Sequence, residues 1–130
     1  MRQATVLYVE DNEYNRKIVR QLLRRTPYRL QEAPDGEAAL AMVRLERPDL
    51  ILMDVQLPKT SGLEVTRTLR GEAATATVPI IMVTSFALSG DDQKAMAAGA
   101  SAYLAKPYSP RELLGLIRKF LPEEMRGEES

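Results

Sequence analysis

Leu50-Ile51-Leu52-Met53-Asp54 decides the fold, because four apolar residues in a row run straight into a carboxylate. A short continuous apolar run bounded by polar residues fits a strand buried on both faces, as in a parallel sheet covered by helices. Three further stretches repeat the pattern: Val6-Leu7-Tyr8-Val9 leads into Glu10-Asp11, Ile80-Ile81-Met82-Val83 into Thr84, and Tyr103-Leu104-Ala105 into Lys106-Pro107. Read as parallel strands, the four runs bring their polar ends to one edge, and in open α/β sheets the ligand site lies outside the carboxyl ends of the strands. Three carboxylates, a hydroxyl and an ammonium meet there, a set suited to phosphoryl chemistry.

The segments between the runs read as helices. Asn12 can cap a helix with apolar positions at Ile18, Val19, Leu22 and Leu23, closed by Thr26-Pro27. Arg29 to Ala33 is a weak, edge-like strand. Pro34-Asp35-Gly36 then turns into a helix with Ala39, Leu40 and Val43 inward and Arg47-Pro48 as its stop. Leu57-Pro58-Lys59-Thr60-Ser61-Gly62 leads to a helix around Leu63 to Arg70. Gly71 and residues 72–77 form a loop before the Pro79-led fourth strand, and residues 86–90 another. A helix from about Asp91 to Ala98 ends at Gly99, the expected left-handed stop. Ser109-Pro110-Arg111-Glu112 opens the last helix with a capping Ser and Pro at the first helical position. Strands alternating with amphipathic helices predict a doubly wound, flavodoxin-like (βα)5 fold. Its five-stranded parallel sheet is expected in the order 2-1-3-4-5, with the apolar strands one, three and four in the middle.

Composition narrows the function classes. The 130 residues suffice for one domain, expected over residues 1–122, and the charged stretch 123–130, with four Glu, is expected to fray. Eighteen basic side chains against eighteen acidic ones give no electrostatic excess of the kind that drives nucleic-acid binding. No apolar stretch approaches the roughly 20 residues that cross a bilayer, and the opening residues lack a secretory signal, so a cytoplasmic protein without membrane insertion is expected. The sequence contains no Cys and no His, which removes thiolate nucleophiles, Cys-based zinc sites and phosphohistidine. A phosphoryl group must arrive from another molecule.

With these elements in place, the chain resembles the receiver domains of bacterial two-component response regulators along nearly its whole length. The matching elements are Glu10-Asp11 after strand one, Asp54 followed by Leu57-Pro58 and Gly62, Thr84-Ser85 after strand four and Lys106-Pro107 after strand five. The segment Val9-Glu10-Asp11-Asn12-Glu13-Tyr14-Asn15 further resembles the DivK type and the receivers of hybrid kinases. The resemblance implies that Asp54 accepts a phosphoryl group from a phosphohistidine on a histidine kinase or histidine phosphotransfer protein, and that the modified surface then engages a downstream protein target. It makes the chain a signalling phosphoacceptor rather than a turnover enzyme, one that assists its own phosphotransfer and slow dephosphorylation.

Each residue has a physical reason in that reading. An anionic phosphoryl group beside three carboxylates needs a cation, and Mg2+ takes hard oxygen ligands. The implied set is Asp11 and Asp54 directly, Glu10 through water, and the backbone carbonyl of Gln56. Lys106 offers a point positive charge to a phosphoryl oxygen and Thr84 a hydroxyl. Tyr103 resembles the aromatic partner of Thr84 in the family's switch. Asn15, Ile18 and Leu22 on helix one, with Pro107 and Tyr108 across the site, resemble the surface on which partner histidine domains dock.

Taken singly, these residues have blander readings. Glu10-Asp11 alone reads as a helix cap, Asp54 as a turn residue, Lys106-Pro107 as the end of a strand, Tyr103 as an amphipathic surface ring, and Ile18 with Leu22 as core. Their convergence at one sheet edge favours the site. A stand-alone receiver is expected, and a receiver cut from a hybrid kinase is the alternative within the family. A haloacid-dehalogenase-type phosphatase would carry a second Asp at the position of Gln56, and a flavodoxin-like electron carrier would need a phosphate loop where Glu10 to Glu13 stand. Gln56 is no efficient base, and a Phe86 ring over the site would exclude water, so a phosphorylated lifetime set by partners is expected.

Overall fold

The computed structural model describes residues 3–84 and 91–121, so the expectations for Ser85, Phe86 and the stretch 123–130 lie outside the described residues. Ten elements follow in strict alternation: β1 Thr5–Val9, α1 Glu13–Leu23, β2 Arg29–Ala33, α2 Gly36–Leu45, β3 Leu50–Asp54, α3 Gly62–Arg70, β4 Ile80–Thr84, α4 Asp91–Ala98, β5 Ala102–Ala105 and α5 Pro110–Phe120. All strands are parallel, in the order β2-β1-β3-β4-β5. Every residue of β1, β3 and β4 is buried, whereas the edge strand β2 opens on a solvent-exposed Arg29.

Alternation along the strands builds two apolar layers. Val6, Tyr8, Leu50, Leu52, Ile81, Val83 and Leu104 pack with Val19 and Leu23 of α1 and Leu113 and Ile117 of α5. Leu7, Val9, Ile51, Met53, Ile80 and Met82 pack with Ala39 and Val43 of α2, Val65 and Leu69 of α3 and Ala95 of α4. The helix starts follow their caps: Asn12, Asp35, Ser61 and Ser109 each accept a backbone N–H three residues on, and Glu112 completes a capping box with Ser109. Gly99 ends α4 at φ 113°, and a Cβ there would meet the Arg70 side chain at 2.6 Å.

Of the two readings of Ile18, docking surface or core, its position excludes the core. Ile18 does not join the core as Val19 and Leu23 do; it is 42% exposed beside a cleft. Among the described residues no helix is long and apolar enough to cross a membrane.

Candidate functional site

Register brings the strand ends together. Val9 lies beside Met53, Asp54 beside Val83 and Thr84 beside Ala105. The ladder continues one residue further, with Glu10 N donating to the Ala33 carbonyl at 2.9 Å, Val55 N to Val83 at 2.9 Å and Lys106 N to Thr84 at 2.7 Å. Glu10, Asp54, Thr84 and Lys106 are therefore fixed by backbone hydrogen bonds before any side chain contributes. The period of two then sorts them. Glu10, Asp54 and Lys106 share a face with Tyr8, Leu52 and Leu104 toward α1 and α5, while Thr84 and Tyr103 face the α4 side with Met82.

Gly62 seats the central carboxylate. Its N–H donates to the Val55 carbonyl at 2.9 Å, and a Cβ on it would stand 2.1 Å from the backbone oxygen of Asp54. Only glycine permits that approach, which lets the loop after β3 fold tightly around Asp54.

Within the cluster, Lys106 Nζ donates to Glu10 Oε1 at 3.0 Å and to Asp54 Oδ2 at 3.3 Å. Asp54 Oδ1 accepts the Gln56 amide at 2.9 Å. Glu10 Oε1 also accepts from the Tyr8 hydroxyl at 3.1 Å and from Asn15 Nδ2 at 3.4 Å, and its Oε2 accepts from Asn12 N at 3.2 Å. One carboxylate oxygen from each of Glu10, Asp11 and Asp54 lies within 4.8 Å of the others, with Glu10 and Asp54 buried and Asp11 exposed.

Charge is unevenly shared. Burial, followed by the adjoining Glu10 carboxylate, pushes the Asp54 carboxyl up to about 7, with Lys106 and the Gln56 amide pulling the other way. Burial also raises Glu10, but a hydrogen bond with Asp54 together with Lys106 and Asn12 N outweighs it, and Glu10 stays below the ordinary carboxylate range. Burial works against the Lys106 ammonium, yet the charges of Asp54 and Glu10 more than compensate, and its value is raised. Three hard oxygen donors at this spacing, too crowded to carry full charge alone, fit a small divalent cation.

The structure brings together Glu10, Asp11, Asp54, Gln56, Thr84 and Lys106. The buried Thr84 hydroxyl accepts from Gln56 Nε2 at 2.9 Å, so the Gln56 side chain spans the ends of β3 and β4. Tyr103 is half-buried and packs on the layer beneath α2, α3 and α4. Asn15, Ile18, Pro107 and Tyr108, with Lys106, line a cleft of about 430 Å3 between α1 and the loop after β5. Leu22 lies in an adjoining cleft of about 360 Å3 that Ile18, Tyr108 and Pro110 also border. Two contacts escape sequence reasoning: the Tyr8–Glu10 bond and the Gln56–Thr84 bond. A Tyr among the aliphatic Val6, Leu7 and Val9, two residues before an acid and so on the same face, is the one available signal for the first.

Comparison with known proteins follows the same lines. A family model described as the response regulator receiver domain matches residues 6–118. The polar-differentiation response regulator DivK of Brucella anthropi is 42% identical over 117 residues, 90% of this chain and 95% of that protein. Among solved structures, the chemotaxis response regulator CheY4 of Vibrio cholerae aligns with a TM-score of 0.86 at 32% identity, covering 92% of this chain and 99% of that one. The receiver domain of the sensor histidine kinase PA1611 from Pseudomonas aeruginosa, solved with a magnesium ion coordinated in its active site cleft, aligns at 0.84 and 36% identity over 92% of this chain and 98% of its own.

Proposed function

From the premise that the chain belongs to the response regulator receiver domain family, the signalling modules of two-component systems, we propose that Asp54 is its phosphoacceptor. The observation that carries this reading is the buried Asp54 carboxylate at the end of the central strand, 3.3 Å from Lys106 and grouped with Glu10 and Asp11. A carboxylate oxygen of Asp54 attacks phosphorus of a partner's phosphohistidine. The O–P bond forms, the P–N bond breaks, and the electron pair leaves with the imidazole nitrogen. Lys106 turns from Asp54 to a phosphoryl oxygen, and Thr84 donates its hydroxyl to another.

Glu10, Asp11, Asp54 and the backbone carbonyl of Gln56 would hold Mg2+, with Glu10 acting through water. When bound, the ion supplies positive charge against that of the phosphoryl oxygens. Asn15, Ile18, Pro107 and Tyr108 supply the surface for a histidine kinase or histidine phosphotransfer protein, supported by their placement around one cleft beside Lys106. Thr84 and Tyr103, on the same face of neighbouring strands, form the switch toward a downstream protein target. Binding of that target is a population shift between two packings of β4, β5 and their neighbours.

Incubation with acetyl phosphate and Mg2+ tests the assignment. One hydroxylamine-labile phosphoryl group per chain is expected in the parent and none in Asp54→Asn. Undiminished labelling of that variant overturns the acceptor.

A further inference from the structure

Tyr8 is an aromatic residue with a hydroxyl set among the aliphatic Val6, Leu7 and Val9 of a fully buried strand. It is 1% exposed and sits in the layer with Val6, Leu52, Val19 and Leu113. A hydroxyl placed there costs about 1–3 kcal/mol unless it finds a partner, and its partner is Glu10 Oε1 at 3.1 Å.

The other partners of Glu10 are longer or shared. Asn15 reaches Oε1 at 3.4 Å from the wall of the 430 Å3 cleft. Asn12 serves only Oε2, at 3.2 Å. Lys106 divides its ammonium between Glu10 and Asp54. A phosphoryl group on Asp54 adds acceptor oxygens that compete for that ammonium, so Oε1 loses its charged donor when the site is loaded. The Tyr8 hydroxyl stays buried in the apolar layer, with Glu10 Oε1 and the Tyr108 hydroxyl as its polar neighbours.

We propose that Tyr8 is a positioning residue: its buried hydroxyl holds Glu10 in its metal-facing orientation and becomes the principal anchor of Oε1 once Asp54 is phosphorylated. This rests on the reading of Glu10 and Asp54 given above and adds a residue to it. Partners of this outer kind commonly matter about 10-fold or more for metal affinity.

Tyr8→Phe keeps the ring and removes the hydroxyl; Tyr8→Met is a second hydroxyl-free variant with different packing. Mg2+ affinity is measured by calorimetry in the unmodified chain and in the beryllofluoride-bound chain, which mimics the acyl phosphate. Both variants should weaken Mg2+ by about threefold in the unmodified state and about tenfold with beryllofluoride. Equal losses in the two states, the mark of a merely loosened strand, overturn the proposal, as do unchanged affinities. The parent isotherm separates the two levels: a parent that binds no Mg2+ overturns the metal site and this inference together, while normal parental binding with an unaffected Tyr8→Phe overturns the role of Tyr8 alone.

Discussion

At the scale of single residues, the site is a group of charges that the fold forces together and that a ligand must relieve. Asp54 is pushed up to about 7 against 3.8 for a free carboxyl. Between those values the folded chain retains a proton that the unfolded chain has released, so stability falls as pH rises through this window. Glu10, held below 4.5, acts in the opposite sense only beneath that value. Asp54→Asn removes the penalty, and thermal unfolding should show the variant more stable than the parent by about 2 kcal/mol at pH 8, the loss of the Lys106 contact offsetting the rest. The difference should vanish toward pH 4. Asp11 is the exposed member of the acidic trio; Asp11→Asn should lose most Mg2+ binding by calorimetry, about tenfold or more, with little change in metal-free stability. The acids, Thr84 and Lys106 were legible because each ends an apolar run. The Tyr8 and Gln56 contacts were not, because they depend on side-chain direction, which spacing along the chain does not encode.

Elements place these residues through register, and two features of the loops carry the precision. Gly62 lies so close to the Asp54 carbonyl that Gly62→Ala must displace the β3–α3 loop. A loss of about 3 kcal/mol in denaturant unfolding is expected, with acceptor labelling falling further than stability alone explains. Gln56 bridges to Thr84 at 2.9 Å in the unmodified site, so Gln56→Ala should remove this competing hydrogen bond and tighten beryllofluoride binding, readable as a lower midpoint in an NMR titration. Helix limits were legible where a cap was read: Asn12 and Ser109 start α1 and α5 at the residues expected from side-chain chemistry, whereas the Asp35 and Ser61 caps of α2 and α3 emerge only in the structure. Ile18 shows where periodicity stops short. It continues the apolar stripe of α1 in sequence, yet the side chain is left exposed beside the cleft.

For the whole molecule, the doubly wound order is what turns scattered residues into one site with two faces. The acidic cluster opens toward α1 and α5, where the cleft beside Lys106 lies, and Thr84 with Tyr103 opens toward α4. The proposed docking and output surfaces thus meet at the same strand ends, and the unbroken burial of β1, β3 and β4 made this architecture readable from the apolar runs alone. Ile18→Asp combined with Tyr108→Ala should slow transfer from a phosphorylated histidine domain by about tenfold while leaving acetyl phosphate labelling near the parental rate, because the small donor needs no docking surface. The most direct test of the central claim is transfer from a phosphohistidine donor in Mg2+ buffer, followed by mass-spectrometric mapping of the phosphoryl group. The account predicts that the donor loses its label to Asp54 of the parent and keeps it when mixed with Asp54→Asn. A label found on any other residue of this chain, or equal loss from the donor with both proteins, would contradict it.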